Sequence, residues 1–378
     1  MLYRYPQLAS DERRVLDKVA EMRTELRHHV VLEPRRWSGL LARITRARAL
    51  RASNSIEDIH VTAEDALAVI DNEAVEDADR ATWNSVRGYH EAMNYILQRC
   101  RDPNFQFSLD MILACHFMIC QHDLNSNPGQ LRPGWVGVHN TRTGEVVHEG
   151  VERGRLEALL NHLVNFMNSD GVGSLELKAA MTHVNLTLLH PFSDGNGRMA
   201  RCLQTAVLAK DGIIAPVFSS IEEYIGHNQQ AYYDVLAQAG GGGWNPDRDC
   251  SAWVRFCIAG HYRQLQTIIR RMTEFSRRYV EFAEIVRKQG LPERTALALL
   301  QASTGSRVRN SSYRVSADVS NNLASRDLKA LVDAGLLLPE GERRGRNYKA
   351  SDVVRQVREK CRMLKAIDDP FDDPAIVG

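Results

Sequence analysis

His190-Pro191-Phe192-Ser193-Asp194-Gly195-Asn196-Gly197-Arg198-Met199-Ala200-Arg201 is the stretch from which the rest of the chain is read. An apolar run from about Leu175 to Leu189 precedes it and predicts a central helix. Pro191 stops that helix near His190, because proline disfavours helical geometry at the residue before it. A second helix is predicted from about Gly197 to Lys210, ended by Asp211 and Gly212. Between the two, Gly195-Asn196-Gly197 gives the backbone access to positive φ and lets a ligand approach closely. The free N–H groups of the second helix's first turn form an anion site there. Arg198 and Arg201, three residues apart, project from one helix face beside it. Asp194 lies among these groups, where its charge would repel a phosphate unless a cation bridged the two. Mg²⁺ fits that position, since it commonly binds one or two carboxylates together with substrate phosphates. His190 is then a candidate general base near an activated phosphate. Taken singly, a helix-terminal His-Pro, a Gly-Asn-Gly turn and two helix arginines are ordinary structural features. Together, within twelve residues, they point to a nucleotide-phosphate site.

The stretch resembles the signature of Fic-domain proteins, His-Pro-Phe-x-(Asp/Glu)-Gly-Asn-Gly-Arg-x-x-Arg, and matches every specified position. The resemblance implies a mainly α-helical core with a β-hairpin flap, and transfer of AMP from ATP to a hydroxyl side chain of a target protein. It implies that His190 deprotonates the target hydroxyl and that Asp194 holds Mg²⁺. Gly195, Asn196 and Gly197 would cradle the phosphates, Arg198 and Arg201 would bind their β/γ end, and Phe192 would anchor the loop in the core. A related phosphate-transferring branch typically has Ala and Lys where this chain has Gly195 and Gly197, which favours adenylylation.

Three further segments resemble parts of that family. Gly129-Gln130-Leu131-Arg132, followed by a predicted hairpin of Trp135 to Val138 and Val146 to Val147 around Asn140–Gly144, resembles the flap that aligns a target segment by strand pairing. Val147 and His148 are its candidate contact residues, within Val147-His148-Glu149-Gly150-Val151. Tyr232-Tyr233 resembles the tyrosine pair of the family's adenine pocket, with Asn228 one helical turn before Tyr232; ordinary core packing is the competing expectation for the tyrosines. Ser53-Asn54-Ser55-Ile56-Glu57-Asp58 resembles the inhibitory motif Ser/Thr-x-x-x-Glu-Gly/Asn, which implies that Glu57 pairs with Arg201 and blocks productive placement of the ATP γ-phosphate. Asp58 departs from the expected Gly or Asn. The plainer alternative is that Ser55 caps a short helix and Glu57 is a first-turn acid complementing its dipole. A glutamate in this place could also position water, which makes removal of AMP a second implied activity.

Outside these segments helical periodicity dominates. Leu156, Leu159, Leu160, Leu163, Val164 and Met167 make one apolar stripe. Thr62 with Asp65 forms a capping-box start, and a helix is predicted from about Ala252 to Lys288. Gly240 to Gly243 precede Trp244 without a Walker lysine and read as a flexible surface loop. Between Leu291 and Ala350 the order of three helices, Gly335-Leu336-Leu337-Leu338 and Arg343-Arg344-Gly345-Arg346-Asn347-Tyr348-Lys349 suggests a winged helix-turn-helix. Ser320 to Ala334 would be its recognition helix and the arginine segment its wing. Residues 293–349 hold ten basic and six acidic side chains. The tail from Asp368 to Pro374 is acidic and reads as loosely ordered.

The expected organisation is an N-terminal helical region over 1–88 bearing Glu57, a Fic core over 89–260, a connecting helix over 261–289, a winged helix over 290–352 and a tail over 353–378. The 378 residues carry 48 basic and 47 acidic side chains, so any nucleic-acid patch is local. No apolar run approaches a membrane span and no export signal is read, so the expected location is cytoplasmic. Seven cysteines without paired spacing read as reduced thiols. Cys115, His116, Cys120 and His122 lack zinc-site spacing and read as buried helix residues. The expected partners are ATP and Mg²⁺, a target protein, DNA through the winged helix, and a second copy in a homodimer. The rival to an adenylyltransferase is a DNA-binding regulator whose Fic core senses nucleotide.

Overall fold

The computed structural model describes residues 1–29, 35–73, 79–139, 144–170, 173–210, 218, 220–341, 346–365, 369–373 and 376. An N-terminal region contains α1 (Ser10–Arg27), α2 (Ser38–Ser55), α3 (Ala63–Ile70) and α4 (Arg80–Arg99). Then come α5 (Leu109–Cys120), the hairpin β1 (Gly137–His139) and β2 (Val146–Glu149), α6 (Leu156–Asn168), α7 (Leu175–Leu189) and α8 (Asn196–Lys210). They are followed by α9 (Glu222–His227), α10 (Gln229–Gly240), β3 (Gly242–Gly243) and α11 (Ser251–Lys288). The C-terminal part holds α12 (Ala296–Ser303), α13 (Asn310–Ala317), α14 (Asn321–Asp333), β4 (Leu337–Glu340), β5 (Asn347–Ala350) and α15 (Asp352–Lys360). The fold is mainly α.

Helix α7 is the centre of the core. Nearly all its residues are buried, the polar Thr182, His183 and Asn185 included. It packs against α8, α6 and α11. The six apolar residues of the α6 stripe are all buried. Thr62 caps α3 as its sequence predicts: Asp65 N–H donates to Thr62 Oγ1 at 3.1 Å, and Thr62 N–H donates to the Asp65 carboxylate at 2.9 Å. Helix α11 has 38 residues and runs unbroken through the division expected at 260/261. At 1.5 Å per residue it extends about 57 Å, enough to brace the N-terminal region, the core and the C-terminal part together. Among its contacts, Arg271 donates two 2.6 Å bonds to the buried Glu223 of α9.

Two local expectations are corrected. Ser55 does not start a helix; it is the last residue of α2, and its hydroxyl donates back to the Ala52 carbonyl at 2.8 Å. Gly240 to Gly243 are not a free loop. They close α10 through Gly241 at φ +51° and form β3, which pairs in parallel with β2 at His148–Gly242 and Glu149–Gly243. The missing side chains permit this, since a Cβ at Gly240 would lie 2.9 Å from His148 Nδ1.

In the C-terminal part α12, α13 and α14 precede the antiparallel pair β4–β5, in register from Leu337–Ala350 to Glu340–Asn347. Val308 adds a bridge to Tyr348, and Ser320 Oγ accepts the Leu323 N–H at the start of α14. Asn140 to Thr143 of the flap turn, Asp211 and Gly212 after α8, Arg343 to Gly345 of the expected wing, and Asp368 and Pro374 of the tail lie outside the described residues. All seven cysteines are buried and unbridged. Among the described residues no helix is long and apolar enough to cross a membrane. No group of three or more His, Cys, Asp or Glu among them is arranged to hold a metal ion.

Candidate active site

The loop between α7 and α8 is built by ending one helix and starting the next within a few residues. His190 caps α7 in the left-handed region, at φ +48° and ψ +60°, a strained conformation for a non-glycine residue. Phe192 is fully buried, and its ring stacks on His116 of α5 with centroids 3.7 Å apart. Asn196 clasps the loop shut. Its Oδ1 accepts the Phe192 N–H at 3.0 Å, and its Nδ2 donates to the Phe192 carbonyl at 2.9 Å. The side chain of Asn196 is therefore committed to the loop, and only its backbone faces the candidate phosphate site. Gly195, at φ +74°, has no room for a Cβ, which would meet Cys120 Sγ at 2.7 Å.

His190 holds its ring through Nδ1, which donates to the Thr187 carbonyl at 3.3 Å. That bond assigns the proton to Nδ1 and leaves Nε2 with a lone pair. Burial lowers the His190 pKa to about 4; nearby His148 and Arg132 lower it further, while the Thr187 bond opposes them. The imidazole is neutral at pH 7, as a base requires.

Arg198 and Arg201 are both buried on α8. Arg198 donates to Ser85 Oγ at 2.7 Å and to Asp194 Oδ2 at 3.1 Å, while its Nε has no partner. Asp194 keeps 55% of its side chain exposed, open to a second charge. Arg201 donates to Ser53 Oγ at 2.8 Å, to the Ser53 carbonyl at 3.0 Å and to Glu57 Oε1 at 2.8 Å. Its Nη1 is buried without a partner. Burial works against the Arg201 charge, but the Glu57 carboxylate outweighs it, and the pKa is raised. Arg198 Nε and Arg201 Nη1 are thus buried donors on α8 without a protein acceptor.

Glu57 reaches Arg201 from a turn that follows α2. An acid just past a helix C-terminus opposes the helix dipole, so the first-turn alternative is overturned and the position depends on its cationic partner. Asp58 takes φ +58°, a left-handed conformation that Asp tolerates as Asn does, which accounts for the departure from Gly or Asn. A Cβ at Gly197 would overlap Glu57 Oε1 and lie 3.1 Å from Arg201 Nη1. Gly197 thus forms the floor on which this pair sits.

Tyr232 and Tyr233 part company. Tyr232 is buried, with its hydroxyl 3.1 Å from His183 Nε2 and its ring against Tyr233 and Trp253. It offers no open wall to a base. Tyr233 donates instead to the Ile56 carbonyl at 2.7 Å, beside Gln229 Nε2 at 3.1 Å. Asn228 turns its Nδ2 back onto the Tyr224 carbonyl at 2.8 Å. In the flap, Val147 is half-buried. His148 points inward, its Nε2 against the Leu188 carbonyl at 2.8 Å, so it supports the sheet and not its open face.

Two residues carry more than their sequence context indicated. Arg132 is buried and donates from Nε to the His190 carbonyl at 2.8 Å, and also to the Gly134 and Val151 carbonyls. It ties the base of the β1–β2 hairpin to the α7–α8 loop. His116 accepts the Gly129 N–H at Nδ1 (3.0 Å) and donates from Nε2 to the Asp194 carbonyl (3.0 Å). Burial lowers its pKa to about 4, which keeps the ring neutral and the tautomer fixed. The Leu131-Arg132 pair following Gly129-Gln130 was the only sequence signal for Arg132; none marked His116 as a loop support.

Residues 106–208 match the Fic/DOC family. The chain is similar to the protein adenylyltransferase Fic of Aedes aegypti, with 28% identity over 211 residues that cover 55% of this chain and 38% of that one. It is also similar to the protein of that name from Nematostella vectensis, with 28% identity over 198 residues, 51% of this chain and 43% of that one. The matches thus span less than half the length of these relatives. A crystal structure of a Fic family protein from Desulfovibrio desulfuricans G20 superposes with a TM-score of 0.60 at 21% identity, over 93% of this chain and 99% of that one. That likeness shows a shared fold.

Proposed function

We propose that this chain, which carries a Fic domain at its centre, is an autoinhibited protein adenylyltransferase that moves AMP from ATP to a hydroxyl of a target protein. One observation carries the reading: a neutral histidine with a free Nε2 stands at the loop that opens α8, where Arg198 Nε and Arg201 Nη1 are buried and unpaired. The target hydroxyl gives its proton to His190 Nε2 as its oxygen attacks the α-phosphorus. The bond from the α-phosphorus to the bridging oxygen breaks, and pyrophosphate leaves with the electron pair. The first-turn N–H groups of α8 and the two guanidinium groups stabilise the charge on the phosphates. Asp194, exposed beside Arg198, suits a Mg²⁺ ion shared with those phosphates, which would offset their charge. Glu57 holds the Arg201 guanidinium that the β/γ end requires, and so competes with productive ATP.

The test is intact-mass spectrometry of wild type, Glu57→Gly and Glu57→Gly/His190→Ala after incubation with ATP and Mg²⁺. An added AMP on the single variant alone supports donor, base and inhibition together. Equal modification of the double variant removes His190 as base, and modification of wild type at the same rate as Glu57→Gly removes the inhibitory role.

A further inference from the structure

The C-terminal part is clamped to the N-terminal region by two carboxylates. Arg307 donates its N–H to Glu64 Oε1 at 3.3 Å, and its Nη1 lies 3.3 Å from Glu64 Oε2. Glu73 accepts from Arg309 Nη1 and from Ser311 Oγ. Glu64 lies on α3, the helix that follows the Glu57 turn, and Glu73 lies just beyond its end. The basic segment they hold is extended. Val308 faces inward, fully buried and bridged to Tyr348, so its neighbours Arg307 and Arg309 both project outward.

That segment borders the exposed side of α14. Asn310 Nδ2 donates to Ser325 Oγ at 2.9 Å and to the Asn321 carbonyl at 3.4 Å, joining it to the first turn of α14. The exposed residues of α14 are Asn321, Asn322, Ser325, Arg326, Lys329 and Asp333. Amides and cations of this kind read base edges and phosphates from a helix laid in the major groove. Exposed Arg314 and Arg346 extend the positive surface; its acids are Asp318 in the α13–α14 turn, Asp333 at the far end of α14, and Glu340 of β4, which pairs with Arg307 Nε at 3.0 Å and with Lys349.

We infer that the face made by α14, residues 307–311 and β5 is a duplex-DNA site, and that Glu64 and Glu73 stand in for DNA phosphates on Arg307 and Arg309 when no duplex is present. Both ion pairs are partly exposed, with Arg307 and Arg309 each 39% accessible. Pairs of this exposure are weak and exchange readily for phosphate. Docking on α3 and binding to DNA then compete for the same two side chains. This goes beyond the transfer reaction and requires neither ATP nor a target.

Fluorescence anisotropy with a labelled duplex of mixed sequence tests it, at low salt and then across a salt titration. Wild type should bind weakly and with a steep salt dependence. Glu64→Gln/Glu73→Gln should bind about ten-fold more tightly, because the competing carboxylates are gone. Adding Arg326→Ala/Lys329→Ala to that variant should lose the gain. Arg307→Gln/Arg309→Gln breaks the same clamp but removes the phosphate contacts, so it should show no gain, and it controls for a general loosening of the fold. No duplex binding by Glu64→Gln/Glu73→Gln at low salt, as expected if this part docks only protein, overturns the site. Equal affinity of that variant and wild type overturns the competition.

Discussion

The loop that would carry out the chemistry and the turn that would block it begin alike and are held differently. Each follows a helix and each sets a non-glycine residue in the left-handed region, His190 at φ +48° after α7 and Asp58 at φ +58° shortly after α2. The α7–α8 loop is fixed through its backbone by buried groups: Asn196 on Phe192, Arg132 on His190 and His116 on Asp194. The turn that carries Glu57 is held by side chains of mixed burial. Its Ile56 carbonyl is held by Tyr233, which is 43% exposed, and its Glu57 by Arg201. The anchoring side chains of the first set are all buried, whereas Tyr233 and Glu57 of the second reach solvent and can be released one at a time. The contrast suits a rigid site with a removable block.

The largest effect should come from the rigid side. His190→Ala should lower the rate by about 10²–10⁴-fold, the usual range for a general base, with ATP binding retained by calorimetry. With its pKa at about 4, His190 stays neutral on acidification until the pH approaches that value, so the rate of the folded protein should be flat around neutrality. Stability behaves otherwise. His183 and His116, held neutral by burial with pKa values of about 3 and about 4, pick up protons on unfolding below about pH 6.5. The unfolded chain then binds more protons than the native one, so stability falls as the pH drops through that window. A rate that falls between pH 8 and 6 while the protein stays folded would remove His190 as the neutral base. Asn196→Ala comes next. It leaves a buried N–H and a carbonyl of Phe192 unpaired, and should cost about 2–4 kcal/mol by chemical denaturation. A loss below about 0.5 kcal/mol would show that the loop is held mainly by Phe192 and His116.

What could be read in the sequence divides along the same line. Side chains whose roles are set by near neighbours were legible: His190 before Pro191, Gly195 at its tight turn, Thr62 capping with Asp65. Glu57 was legible only through resemblance, since its partner Arg201 is 144 residues away. Arg132 and His116 act on carbonyls 58 and 78 residues distant, and Tyr233 on one 177 residues distant. No spacing rule reaches such pairs, because they are fixed only when α5, α7, α8 and α10 pack. The Gly240–Gly243 run misled for a related reason. Glycine signals both freedom and close approach, and here the approach of His148 decided between them.

The blocking side should respond more gently. Glu57→Gly should raise self-modification on the order of ten-fold, the effect of removing one ion pair whose arginine is buried and whose carboxylate is partly exposed. The same change leaves the buried Arg201 charge without its carboxylate, so the free protein should melt earlier than wild type. ATP should then restore more stability to the variant than to wild type, since its phosphates meet an uncompensated cation. Equal ATP-induced shifts in the two proteins would mean that Glu57 does not compete for Arg201.

The smallest change tests whether the turn is held at its backbone as well as at its acid. Tyr233→Phe removes one hydroxyl donor from the Ile56 carbonyl and keeps the ring, while Gln229 continues to donate there. A single neutral hydrogen bond at a half-exposed site contributes about 0.5–1.5 kcal/mol. The variant should therefore modify itself a few-fold faster than wild type and more slowly than Glu57→Gly. In the Glu57→Gly background it should add nothing, because a turn without its acid no longer blocks the site, and the two effects should be strongly non-additive. An independent increase in the double variant would place Tyr233 in contact with nucleotide or target, not in the latch that keeps Glu57 on Arg201.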